Sequence, residues 1–154
     1  MSAVTDRIEK HVMIHAPRSR VWRALTNARE FGQWFGVRLT GSFAPGTQVE
    51  GPVTHQGYEH VIWKVTIDKM EPERLFSWRW HPAVVEPGQD YTPEANSTLV
   101  TFELEEVEGG TLLTVVESGF DRLSPLRRAD IYRKNDEGWT AQVEFIRNHV
   151  ERTA

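Results

Sequence analysis

Apolar positions along the chain change period as it proceeds, and each change predicts an element. "RIEKHVMIHA" alternates, with Ile8, Val12 and Ile14 to one side and His11, Met13 and His15 to the other, which predicts a strand from Arg7 to His15. Pro17 suits the first turn of a helix, and "RSRVWRALT" then places Val21, Trp22 and Leu25 on one face. Asn27 followed by Glu30 has the form of a capping box opening a second short helix. Phe31, Trp34 and Phe35 follow at helical spacing, and Gly36 ends the run.

Beyond Gly41 the period drops to two. "TQVEGPVTH" reads as a weak strand, with Gly51 and Pro52 marking an edge or a bulge. "EHVIWKVTIDKM" sets Val61, Trp63, Val65 and Ile67 on one side, and "RLFSWRWH" aligns Phe76, Trp78 and Trp80. Pro82 to Ser97 has no period and reads as a long loop of the kind that binds ligands or acts as a lid. "TLVTFELEEVEGGTLLTVVESGF" predicts a hairpin about Gly109-Gly110. Val100, Phe102 and Leu104 share a face on its first arm, and Leu113, Val115 and Glu117 share one on the second.

Ser124-Pro125 has the form of an N-cap and first helical residue, opening a helix that runs to about Glu151. Its stripe is Tyr132, Asn135, Trp139, Val143, Ile146 and Val150. Two features of this helix are anomalous: Asn135 interrupts the apolar stripe, and Gly138 sits in the interior, where glycine costs about 1 kcal/mol relative to alanine. Both fit a helix that closes a cavity, with Gly138 allowing a close approach to the sheet, or relieving a crowded contact. A strand, two short helices, a run of antiparallel strands and one long helix make an α+β domain, and 154 residues are most simply one such domain, 1–154.

Composition narrows the function. The net charge of -4 argues against nucleic acid, which calls for a basic face. No apolar run approaches a membrane span, and "MSAVTDRIEK" lacks the layout of a signal peptide. With no cysteine there is no disulfide or thiolate metal site, and the six histidines form no ligand motif, so neither metal nor cofactor is expected and the reading is cytoplasmic. No nucleophile elbow or phosphate-cradling glycine loop is present. Six tryptophans are many for this length; they serve either as core filling or as the wall of an aromatic pocket.

Several stretches resemble a known family. "APRSRVWRALTNAREFGQWFG" is similar to the strand–helix–helix opening of the SRPBCC superfamily, whose START-related domains have the helix-grip fold. "GGTLLTVVESGF" and "NDEGWTAQVEFIRNHVE" resemble its activator of heat-shock protein 90 ATPase homologue-like (AHSA1-like) branch, which also holds polyketide cyclase-like proteins. The likeness runs from Arg7 to Glu151. It departs at "TQVEGPVTH", where commoner members carry a Gly-Gly-containing second strand. The resemblance implies a curved antiparallel sheet wrapped around a long C-terminal helix, two short helices after the first strand, and a cavity for apolar or aromatic molecules. It implies no single reaction.

Within that frame the expected ligand-binding residues are Trp34, Trp63, Trp78, Trp80, Phe102, Val115, Glu117, Asn135 and Trp139. Glu117 is the candidate catalytic residue, because an inward carboxylate is costly without a partner and marks functional sites more often than chance. Asn135 is its expected partner, and a structural bond to the backbone of "SGFD" is the alternative. Three functions remain open: binding of a small apolar or aromatic ligand, a cyclase or hydrolase using Glu117 as acid or base, and a co-chaperone stimulating a chaperone ATPase. The last ranks lowest because the chain lacks the extra N-terminal domain of the eukaryotic co-chaperone. A homodimer is left open.

Overall fold

The computed structural model describes residues 7–81, 97–123 and 125–153. Six strands form one antiparallel sheet, β1 (Arg7–Ile14), β2 (Gln48–Pro52), β3 (Ile62–Glu71), β4 (Leu75–Trp80), β5 (Thr98–Val107) and β6 (Gly110–Ser118). Their spatial order is β1-β6-β5-β4-β3-β2. Helices α1 (Arg18–Thr26) and α2 (Ala28–Phe35) follow β1, and α3 (Arg128–Thr153) closes the chain. This is the helix-grip architecture, a curved sheet holding its last helix. The expected loop of Pro82 to Ser97 lies outside the described residues apart from Ser97.

Alternation decides which side of each strand meets the helices. Ile8, Val12 and Ile14 of β1, Trp63, Val65 and Ile67 of β3, and Leu113, Val115 and Glu117 of β6 are all buried. β4 breaks the pattern, with Phe76, Ser77 and Trp78 buried in succession. Its pairing with β3 shifts register at Asp68. There the Ser77 hydroxyl donates to Asp68 Oδ2 at 2.9 Å and accepts from the Lys69 N–H at 3.2 Å, so the buried polar group is satisfied.

The edges are guarded. Beyond β2 the segment after α2 adds a bridge from Val37 to Val53 and a bond from Arg38 N–H to Pro52 O at 2.9 Å. At the start of β1 the Tyr132 hydroxyl donates to Arg7 O at 2.8 Å, so α3 covers part of that edge.

Helix boundaries follow local chemistry, with one correction. Asn27 caps α2 by accepting from Glu30 N–H at 3.0 Å, and Gly36 takes the left-handed conformation, φ 97°, that ends it. Only half of the expected capping box forms, because the Glu30 side chain is engaged elsewhere. α3 starts at Arg128, not at Pro125 as the Ser-Pro step predicts; residues 125–127 form a turn, and Ser124 lies outside the described residues. The Arg128 guanidinium donates to the carbonyls of Asp121 and Leu123 at 2.8 and 3.0 Å, which anchors the turn and delays the helix. The hairpin turn also sits one residue earlier than expected, at Glu108-Gly109.

Glu30 turns instead to α1 and the far end of α3. Its carboxylate meets Arg20 Nη1 at 2.6 Å, Arg23 Nε at 3.0 Å and His149 Nε2 at 2.9 Å. Burial pushes its pKa up, but hydrogen bonds from His149, Arg20 and Arg23 outweigh that and hold it below the usual 4.5. A carboxylate depressed in the folded state contributes stability that is complete above about pH 4.5 and fades as pH falls through the lowered value. Denaturant titrations should therefore show Glu30→Gln less stable than the parent near neutrality, with the gap closing on acidification. A gap that stays constant into strong acid would contradict this assignment.

Gly138 does not approach the sheet, and neither sequence explanation of it holds. It is exposed, and a Cβ built there meets nothing within 4 Å. Trp139 holds the inner face, and the preceding residue is rotated about 100° away from it. Nothing in the packing requires glycine, so Gly138→Ala should stabilise the protein by about 1 kcal/mol, raising Tm by about 2–4 °C. A fall in Tm would show that this face is packed against something.

Candidate functional site

The sheet's inner face and α3 meet at Glu117. Its side chain is 0% exposed, and Val100 of β5 and Ile8 of β1 flank it in register. Trp139 Nε1 donates to Oε1 at 2.8 Å, and Trp80 Nε1 donates to Oε2 at 2.9 Å. The Thr98 hydroxyl donates to Oε2 at 2.6 Å. Asn135 Nδ2 lies 3.1 Å from Oε1 and 3.2 Å from Oε2. All four partners are neutral and come from β4, β5 and α3, in the place of a cation.

The sequence reading of Asn135 as partner is what the geometry shows, and the backbone of "SGFD" is not needed. Gly119 takes φ 94° after β6 and turns the chain into a short 3-10 helix, Phe120–Arg122. Phe120 is thereby buried against Tyr132, ring centroids 5.0 Å apart. The Glu-Ser-Gly-Phe stretch thus sets a carboxylate inside, then turns, then plugs the end of the sheet. Asn135 and Trp139, one helical turn apart, reach the same carboxylate from above.

An aromatic cluster extends from this point along the sheet. Trp139 meets Trp80 at 6.1 Å and Phe102 at 5.8 Å between centroids. Trp78 meets Phe102 at 5.1 Å, Trp80 at 5.7 Å and Trp63 at 5.5 Å. Val115 is buried beside Phe102, its partner in register. Trp34 joins through Phe31 at 4.9 Å, and its indole N–H donates to Ala24 O at 2.8 Å. All nine expected residues are therefore near one region, with Trp34 on its α2 side.

Three contributors escaped the site prediction. Phe31 and Phe35 of α2 touch Trp63 and Trp78, and Phe35 also touches Trp80 and Trp139. Their helical spacing with Trp34 was visible, but not that α2 caps the same space. Thr98 was also missed, although it shares parity with Val100, Phe102 and Leu104, so alternation alone places it inward. An open depression of about 470 Å³ lies elsewhere, between the β1–α1 turn and the β5–β6 hairpin, and none of its lining residues belongs to the aromatic cluster.

Fold and site define a helix-grip domain with an aromatic interior organised on one buried carboxylate. The family model described as Activator of Hsp90 ATPase homolog 1-like protein matches residues 15–151, and the chain belongs to that family. Among solved structures it is similar to protein MLL2253 from Mesorhizobium loti, at 23% identity and TM-score 0.75, covering 96% of this chain and 98% of that one. It is also similar to DynU16, a protein of the dynemicin biosynthetic locus, at 24% identity and TM-score 0.72 over 95% of this chain. This chain spans 47% of DynU16. The Aha1 dimer from Colwellia psychrerythraea matches at 16% identity and TM-score 0.69, over 94% of this chain and 96% of that one. No curated protein matches. Among the described residues, no helix is long and apolar enough to cross a membrane.

Glu117→Gln tests the carboxylate junction. Each oxygen accepts from at least two donors, so an amide in either orientation turns an N–H toward N–H or O–H groups. The variant should lose roughly 2 kcal/mol or more, the scale for buried donors left unpaired. Unchanged stability would mean that these bonds do not hold the fold.

Proposed function

We propose that the protein binds a small apolar or aromatic molecule between the sheet and α3, against the wall formed by Trp63, Trp78, Trp80, Phe102 and Trp139. The observation that carries this reading is one continuous cluster of these rings, two of which, Trp80 and Trp139, are fixed by a single buried polar group. Binding sites of this kind are mostly apolar with a few placed polar groups, and indoles supply both an apolar face and a donor. Trp34 and Val115 complete the wall, and Glu117 with Asn135 sets its polar end. In this reading Glu117 anchors Trp80 and Trp139 in position.

The geometry favours anchoring over acid–base chemistry for Glu117. A general acid or base must exchange a proton with substrate within hydrogen-bond reach, whereas both oxygens here are occupied by protein donors. A chaperone-activating role rests on the family's description alone. A homodimer draws support from the Colwellia fold neighbour, which is a dimer. A cytoplasmic setting draws on the absence of cysteine.

Titration with N-phenyl-1-naphthylamine should quench the intrinsic tryptophan emission saturably, with probe fluorescence rising in parallel. If this probe and a panel of neutral aromatic probes leave the emission unchanged, ligand binding at the aromatic wall is lost.

A further inference from the structure

The indole N–H groups of the aromatic cluster divide into two sets. Those of Trp34, Trp80 and Trp139 donate to Ala24 O, Glu117 Oε2 and Glu117 Oε1. Those of Trp63 and Trp78 are buried, with the residues 6% and 0% exposed, and have no hydrogen-bond partner among the described residues. An indole nitrogen donates and cannot accept. A buried donor without an acceptor costs stability and is uncommon enough to call for a reason, such as an absent partner molecule. Two of them occur here side by side, on neighbouring strands, with ring centroids 5.5 Å apart and planes at 87°.

The other polar end of the cluster cannot satisfy them or a ligand's donors. Glu117 already accepts five hydrogen bonds on its two oxygens. The side chains of the aromatic cluster therefore have N–H in surplus and no free acceptor among them; the buried, unpaired Gln142 Oε1 belongs to α3, on the side chain whose Nε2 donates to Phe35 O at 3.3 Å.

Resting on the binding function proposed above, we propose that the ligand carries a hydrogen-bond acceptor, a ketone or similar carbonyl oxygen on an aromatic or apolar frame, which is received by the indole N–H groups of Trp63 and Trp78. The site discriminates against plain hydrocarbons of the same shape, because they leave both donors unpaired. It also discriminates against ligands whose polar group only donates, such as ammonium groups, because they meet N–H with N–H.

The test compares three probes of one shape, indane, 1-indanone and 1-aminoindane, by calorimetry and by the indole N–H signals in ¹H–¹⁵N spectra. In the native protein 1-indanone should bind roughly three- to tenfold more tightly than indane, the increment of a neutral hydrogen bond, and 1-aminoindane more weakly than either. The Trp63 and Trp78 indole protons should move downfield with 1-indanone and not with indane. In Trp63→Phe and Trp78→Phe the ratio of 1-indanone to indane affinity should fall toward one, and taking the ratio within each variant cancels any loss of packing. Equal binding of indane and 1-indanone by the native protein overturns the acceptor preference while leaving the binding function standing. Failure of all three to bind overturns both.

Discussion

A carboxylate taken out of water has to be given its hydrogen bonds by the protein, or the charge costs several kcal/mol. Glu117 receives five, from Trp80, Thr98, Asn135 and Trp139, and none of these donors is charged. Neutral donors rebuild a hydration shell without introducing a second ion that would itself need solvating. The same bonds join β6 to β4, β5 and α3, so the solvation of one side chain fixes the seat of the long helix. Losing any one donor exposes the cost of the carboxylate, and losing the carboxylate strands the donors.

Much of the interior takes its arrangement from that junction. Trp80 and Trp139 are held by their N–H ends, which sets their ring planes against Phe35, Phe102 and Trp78. Rings anchored in this way keep one packing arrangement where an aliphatic core could repack. α2 supplies the other side of the cluster through Phe31 and Phe35, and its own position depends on Glu30 reaching α1 and His149 of α3. Two carboxylates thus hold α3, the buried Glu117 to the sheet and the half-buried Glu30 to the short helices. The rigid aromatic wall between them is the part of the molecule that the proposed function uses.

The parts visible in the sequence were those governed by a short period. Two-residue alternation placed Glu117 beside Leu113 and Val115, and the three- and four-residue steps of α3 placed Asn135 above it with Trp139, before any contact was known. The same rule reaches Thr98, whose parity was overlooked because it adjoins the unpatterned loop. Gly138 was misjudged because its meaning depends on an angle about the helix axis, which spacing from Trp139 alone would have supplied. The hydrogen bond of Glu30 with His149 spans 119 residues and connects two helix surfaces that no local pattern relates. The late start of α3 depends on one arginine reaching two carbonyls, and a Ser-Pro step carries no trace of that.

Hydrogen exchange of the indole protons tests the central role of Glu117 most directly. The account predicts that the Nε1 protons of Trp80 and Trp139 exchange roughly a hundredfold or more slowly than a free indole, and that the two slow together because one carboxylate holds both. Exchange of either at the rate of a free indole would show that the carboxylate does not hold these rings, and the account of the helix seat and of the aromatic wall would fail with it.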